Sequence, residues 1–303
     1  MDIDQAQPFD PRQQIRSNSY EIFYYRDEQL GRVSIHHHDF YELYLFLKGN
    51  VEFIVEGHTY VPQPGDLLLI NPFELHQLRI RQPREAYERI VLWLAPEYLS
   101  QISTAQTSLT RCFDGSWPKH SNILRQPHLH QNKVETLLRA LLRESRQNRY
   151  GADVAARGIV SQLMVEVNRL AIANAPQHSP ENRAAEQIQR VLEYIEKHYD
   201  QPLSLDQLAG EFFISKYYLS HEFRKQVGAS VYRYIIQKRL VIAKQLLSGG
   251  VSPTDVYQNC GFRDYSSFYR AFKAEYGLSP NAFLKSQPKS GKSQKKARES
   301  CHN

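Results

Sequence analysis

The chain has 303 residues, 41% hydrophobic and 23% charged, which suits two domains with their own cores and excludes wholesale disorder. No run approaches the roughly 18 apolar residues of a membrane span, and the polar start Met1-Asp2-Ile3-Asp4-Gln5 is unlike a secretory signal, so a cytoplasmic protein is expected. Cys112, Cys260 and Cys301 are widely spaced with no C-x-x-C, which rules out a disulfide framework or cysteine zinc site as the organising feature. The formal charge of +6 is uneven: residues 1–183 carry a net −1, residues 184–285 +3 and residues 286–303 +4. A basic half beside a neutral half points to a polyanion as partner, with a merely solvated surface as the alternative.

Residues 1–19 form an N-terminal arm. From 20 to 102 the chain predicts strands. Val33–Leu47 and Val51–Val55 are rich in aromatic and β-branched residues, and turns fall at Gly49-Asn50, Glu56-Gly57-His58 and Pro62–Asp66. Strands joined by short turns without a helical period predict an antiparallel barrel or sandwich. Residues 103–130 are irregular. Helical spacing follows in Val134, Leu137, Leu138, Leu141 and Leu142, then in Ile159, Val160, Leu163, Met164, Val167 and Leu170, with a break at Tyr150-Gly151-Ala152. These stripes exceed what a small barrel needs to cover it, so residues 103–173 are expected to relay a signal and to pair with a second copy in a homodimer; helices that cover their own barrel are the alternative. Residues 174–183, with two prolines, form a linker, and residues 286–303 a basic disordered tail.

Residues 184–285 contain one pattern twice, 49 residues apart: Asp206 and Asp255, Phe213 and Phe262, Ser215 and Asp264, Leu219 and Phe268, Phe223 and Phe272, Arg224 and Lys273, Gly228 and Gly277, Ser230 and Ser279. Each copy reads as a helix, a tight turn, an N-cap, a second helix and a terminating Gly, which is a helix-turn-helix. In the first copy Leu219 and Phe223 face a core, and Lys216, Tyr217, Ser220, His221 and Arg224 face outward. In the second, Phe268 and Phe272 face inward, and Tyr265, Ser266, Tyr269, Arg270 and Lys273 outward. Such faces suit a DNA groove, with cations for phosphate and Arg for guanine edges. The 17-residue connector 231–247 has no Gly or Pro; as a helix it would span roughly 26 Å, near the ~34 Å between successive major-groove segments. A helical bundle whose polar faces touch nothing is the competing possibility.

This text resembles the AraC/XylS-type DNA-binding domain. The resemblance is carried by Leu205-Asp206-Gln207-Leu208-Ala209, Ile214–Leu219, Phe223-Arg224-Lys225, Gly228, Arg239–Leu247, Val256, Cys260–Lys273, Gly277 and Ser279-Pro280. It implies base contacts from Tyr217, Ser220 and His221 on the first recognition helix, and from Tyr265, Ser266, Ser267, Tyr269 and Arg270 on the second. Arg or Gln is frequent in the family where this chain has His221, so the base read there stays open.

In the barrel region, Ile35–Glu42 reads as a strand. Period two puts His36, His38 and Glu42 on one face and His37 on the other, at the surface; His76 follows Pro72. Three imidazoles and a carboxylate that converge would suit a divalent transition metal. The spacing His36-x-His38-x3-Glu42-x6-Gly49 resembles the first cupin motif. Pro64-Gly65-Asp66, Pro72 and His76 resemble the second, one residue short between Pro72 and His76 and without Asn at 80. The resemblance implies the cupin-like sensor barrel that AraC-type regulators carry.

The fold class expected is therefore two-domain α+β: an N-terminal antiparallel cupin-like β-barrel followed by helices, then a C-terminal all-α double helix-turn-helix. The function expected is an effector-responsive, one-component transcriptional regulator with no catalytic residue and no cofactor, whose partners are double-stranded promoter DNA and a small effector such as a sugar. His36, His38, Glu42 and His76 would bind that effector. The alternative is a metal-dependent cupin enzyme or metal sensor with a divalent transition metal on the same four residues. Asn71 and Glu74 are further ligand candidates, Trp93 and Cys260 are expected in cores, and Lys289, Lys292, Lys295, Lys296 and Arg298 would add non-specific phosphate affinity.

Overall fold

The computed structural model of the chain describes residues 6, 7, 9, 14–28, 30, 33–82, 85–115, 120–125, 128–147, 149–173 and 183–286. Of the expected linker (174–183) and tail (286–303), residues 174–182 and 287–303 lie outside the described residues, while 183 and 286 belong to helices. The chain divides into two compact units, one of residues up to Leu192 and one from Glu193 on, with His221–Ala229 grouped with the first.

The first unit holds strands β1 (Tyr20–Asp27), β2 (Tyr41–Lys48), β3 (Val51–Val55), β4 (His58–Tyr60), β5 (Leu67–Ile70), β6 (His76–Ile80), β7 (Tyr87–Leu94) and β8 (Ile123–Leu124). They form two antiparallel sheets, β1-β7-β2-β5-β8 and β4-β3-β6. The expected barrel is thus a cupin-like sandwich, not a continuously closed cylinder. Pro62 and Pro64 lie between β4 and β5 and cannot donate to a ladder, so the chain changes sheets there. Of the arm, Gln7 forms an isolated bridge to β1, its N–H donating to Tyr24 O at 2.9 Å.

The five-stranded sheet uses both faces. Leu43, Leu45, Ile90, Leu92 and Leu94 belong to one core with the following helices. Tyr87, Val91 and Trp93, which alternate with them along β7, join aromatic clusters on the opposite side. The helices are α1 (Pro96–Ile102), α2 (His128–Arg146), α3 (Ala152–Ala173) and α4 (Arg183–His198). Val134, Leu138, Leu141 and Leu142 of α2 and Val160, Leu163, Met164, Val167 and Leu170 of α3 are buried in the same core as the sheet. The apolar stripes are therefore spent within the chain. They cover its own sheet, and the surplus that argued for a dimer seam is absent from them.

The chain continues with α5 (Leu205–Glu211), α6 (Lys216–Val227), α7 (Val231–Ser248), α8 (Pro253–Asn259), α9 (Tyr265–Tyr276) and α10 (Pro280–Ser286). Its caps follow the repeat. Ser204, Ser230, Ser252 and Asp264 accept the backbone N–H groups of Gln207, Arg233, Asp255 and Ser267, which would otherwise lack partners. Gly228 and Gly277 both take left-handed conformations, at φ 83° and 71°. Leu240, Ala243, Leu247, Val256, Phe268 and Phe272 share one core.

The repeat is not uniform at 49. Ser204 and Ser252, and the first residues of α5 and α8, are 48 apart, whereas α6 and α9 start 49 apart. The second turn is one residue longer. Phe213 (φ 53°) and Gly261 (φ 71°) thus occupy the same left-handed position, two residues past α5 and α8 respectively. Pairing Phe213 with Phe262, or Asp206 with Asp255, is therefore off by one: Phe262 is buried in the core, and Phe213 is 94% exposed. Among the described residues no helix is long and apolar enough to cross a membrane.

Candidate functional site

In the first unit the segment before β2 is not a strand. His36 makes an isolated antiparallel bridge to His76, each N–H donating to the other's carbonyl at 3.0 and 2.9 Å, and the chain then bends until Tyr41. The period-two argument accordingly fails for its neighbour: His37 is 4% exposed, not at the surface. The sequence-derived grouping survives by another route. The bend and β6 bring His38, Glu42 and His76 together, all buried, with one ligand atom of each within 4.8 Å of the others. His36 is half-buried and lies outside that trio, with its ring 4.2 Å from the ring of His76.

The hydrogen bonds fix the chemistry of the cluster. Nδ1 of His36, His38 and His76 lies 2.8–2.9 Å from the carbonyls of Ser34, Phe40 and Glu74. A carbonyl only accepts, so each Nδ1 carries a proton, and the lone pair of such a ring in its neutral form is on Nε2. His38 Nε2 faces Glu42 Oε2 at 3.2 Å and His76 Nε2 faces it at 3.8 Å. Lone pairs meeting a carboxylate need a proton or a cation between them. Burial pushes the Glu42 carboxyl above its ordinary range, opposed by His76 and by the hydrogen bond from Trp93. Burial, reinforced by His36 and His38, holds His76 well below the usual imidazole value and so neutral.

Two contributors escaped the sequence reading. Trp93 Nε1 donates to Glu42 Oε1 at 2.6 Å, so the indole is buried and also orients the carboxyl. Phe40 stacks on His38 at 3.9 Å with 4° between the rings. Alternation along β7 would have placed Trp93 on the Glu42 side, since the two are register partners. Glu74 has a bracing role: its Oε2 accepts from Asn71 N at 2.8 Å and from Asn122 Nδ2 at 2.9 Å.

In the second half of the chain, α6 and α9 each have one apolar and one polar face. On α6, Leu219, Phe223 and Val227 are fully buried, whereas Lys216, Tyr217, Ser220, His221 and Arg224 are exposed. Ser215 caps the helix through Tyr218 N at 3.1 Å, and Lys216 pairs with Asp206. On α9, Phe268 and Phe272 are buried and Ser266, Arg270 and Lys273 exposed. The other three residues predicted to contact DNA from this helix, Tyr265, Ser267 and Tyr269, are half-buried. Tyr265 packs on Tyr257 and Phe268, Tyr269 packs against Tyr265, and Ser267 Oγ donates to Asp264 Oδ2 at 3.1 Å. Ser267 is thereby engaged in the N-cap. Phe213, in the turn before α6, is exposed. Cys260 is fully buried, as expected, at the end of α8.

Known proteins match both halves. A family model described as an AraC-like ligand binding domain matches residues 19–164, and one described as a helix-turn-helix domain matches residues 208–286. The HTH-type transcriptional activator RhaS of Escherichia coli O157:H7 is 24% identical over 253 residues, spanning 81% of this chain and 85% of its own. Among solved structures, ToxT from Vibrio cholerae O395 is similar at 14% identity and TM-score 0.37 over 88% of this chain and 98% of that one. The C-terminal domain of AraT, a response regulator from Geobacillus stearothermophilus, is similar at 24% identity and TM-score 0.35 over 38% of this chain and 99% of that one.

Proposed function

The chain belongs to the AraC-type regulators, effector-responsive DNA-binding proteins with a ligand-binding and a helix-turn-helix domain, and from that premise we propose that it is a cytoplasmic transcriptional activator of promoters read by α6 and α9. The observation that carries this reading is the two-faced character of both helices: buried Leu219 and Phe223, or Phe268 and Phe272, fix the inner side and leave cations and hydroxyls outward. Tyr217, Ser220, His221, Ser266 and Arg270 read bases. Lys216, Arg224 and Lys273 hold phosphates. Tyr265, Tyr269 and Ser267 chiefly position α9. Two copies pair through the outer face of α3, where Val154 and Ile172 remain exposed.

Mobility shifts at fixed salt test the DNA interface. Arg270→Ala should weaken specific binding by about 1–3 kcal/mol and relax one base position, while Lys273→Ala should weaken all sequences and lower the salt slope by about 1. Specific binding that survives both Arg270→Ala and Tyr217→Ala would refute these recognition faces.

In the first unit, His38, Glu42 and His76, with His36 beside them, take the hydroxyls of a small sugar-like effector. The effector shifts a pre-existing equilibrium because one arrangement binds it more tightly. One observation favours a second occupant of the same cluster: protonated Nδ1 atoms leave bare Nε2 atoms beside a carboxylate, a donor set that fits a divalent transition metal. Bound there, the metal would act as a Lewis acid toward an effector oxygen. Elemental mass spectrometry on protein purified without chelator separates the two. Near-stoichiometric metal, lost in His38→Ala and His76→Ala, establishes the metal; metal far below stoichiometry leaves the cluster to the effector.

A further inference from the structure

Along β7, Arg89 alternates onto the same face as Val91 and Trp93, so it shares the sandwich interior with Glu42. Its side chain is 1% exposed. Nη1 is committed: it pairs with Asp27 and donates to Tyr87 O at 3.3 Å. The flat faces of the guanidinium are covered as well, with Cζ 4.2 Å from the ring centroid of Tyr87 and 4.7 Å from that of Tyr25. What remains is one edge. Nε and Nη2 have no hydrogen-bond partner among the described residues, nor does the buried hydroxyl of Tyr87.

Buried N–H groups of a cation are costly when nothing meets them, so an unmatched pair in an interior calls for an explanation. The geometry of this pair is specific. Nε–H and Nη2–H point the same way and form the side-on fork that grips both oxygens of a carboxylate. Tyr44 lies in central strand β2 and touches both aromatic clusters, yet part of its surface stays accessible.

We infer that the effector of this unit is a hydroxy acid of the sugar-acid class: its carboxylate is held by the Nε/Nη2 edge of Arg89 with the Tyr87 hydroxyl as a further donor, and its hydroxyls reach toward Glu42. The inference rests on the reading of this interior as the effector site. It adds a specificity residue, Arg89, and a charge requirement that the histidine cluster alone does not impose.

The test is a panel of matched probes on the full-length protein, followed by melting shift and isothermal titration: galacturonate with galactose, glucuronate with glucose, and glucose 6-phosphate. An acid should raise the melting midpoint and bind about tenfold tighter than its neutral partner, the worth of a charged hydrogen-bond pair. Arg89→Lys keeps the charge and loses the fork, and should weaken acid binding by about tenfold or more. Tyr87→Phe leaves the Arg89–Asp27 pair intact and should weaken it severalfold, which reads the site even if Arg89→Lys does not fold. A neutral sugar that binds as well as its acid overturns the carboxylate and spares the effector reading. Preference for the phosphate ester, acid binding undiminished in both variants, or silence across the panel also overturns it. Sequence-specific DNA binding by the same preparation reports separately on the regulator reading.

Discussion

Gly261 offers a sharp test of how the second helix-turn-helix is built. It sits at φ 71°, and a Cβ there would lie 2.6 Å from both Tyr199 O and Asp200 O. Left-handed backbone costs an L-residue about 1–2 kcal/mol. The lower entropy of an unfolded Ala chain returns about 0.4–1 kcal/mol. The clash adds the larger share, because the opposing segment cannot withdraw freely: buried Arg239 donates from Nε to Tyr199 O at 2.8 Å and from Nη2 to Gln201 O at 2.7 Å. Loss of one hydrogen bond from a charged donor costs about 1.5–3 kcal/mol. Gly261→Ala should therefore destabilise the second unit by about 3 kcal/mol. Phe213→Gly, at the equivalent turn position with an exposed ring, removes strain and loses little burial, so it should stabilise by about 0.5–1 kcal/mol. Urea titrations followed by far-ultraviolet circular dichroism measure both. A Gly261→Ala protein within about 0.5 kcal/mol of the parent would refute the close approach, and an unstable Phe213→Gly protein would refute the equivalence of the two turns.

Three further outcomes follow from particular contacts. Trp93→Phe takes the indole N–H from the buried Glu42 carboxyl and should cost about 1–3 kcal/mol in thermal melts, whereas an unchanged midpoint would mean that the bond at 2.6 Å contributes nothing. Leu163→Ala empties a fully buried position between α3 and the sheet and should cost about 2–5 kcal/mol. Asp264 is held below the usual carboxylate range by Ser267 N–H and Oγ–H, helped by Arg270 and Arg263. A depressed native pKa contributes stability above the unfolded value and loses it as pH falls through the folded one. The parent should therefore lose more stability than Asp264→Asn on acidification below about pH 4; equal losses would refute the cap's role.

The parts of the fold legible in the sequence were those governed by local rules. Caps such as Ser215 and Asp264 and the apolar spacing of Leu219 with Phe223 need only neighbours three or four residues away, and they fell where expected. Features set by distant partners did not. His37 is buried because the chain bends before β2, where an alternating strand would have exposed it. The off-by-one pairing of Phe213 with Phe262 arose because a one-residue insertion in a turn is invisible to a fixed-period comparison. Likewise the α2 and α3 stripes read as surplus only while the area of the sheet beneath them was unknown. The histidine–glutamate cluster was found through its spacing, and the partners that set its protonation, Trp93 and three backbone carbonyls, needed coordinates.

Strand β7 bears on how such a protein can diversify. Its residues 87, 89, 91 and 93 look into the sandwich, and residues 90, 92 and 94 are locked against the helices. Neighbouring codons therefore answer to different selective pressures. A substitution at Arg89 or Val91 can change which molecule is recognised while Ile90 and Leu92 keep the helices seated. Ligand preference can drift one alternate position at a time on an inherited scaffold, so relatives that share this sheet need not share a ligand.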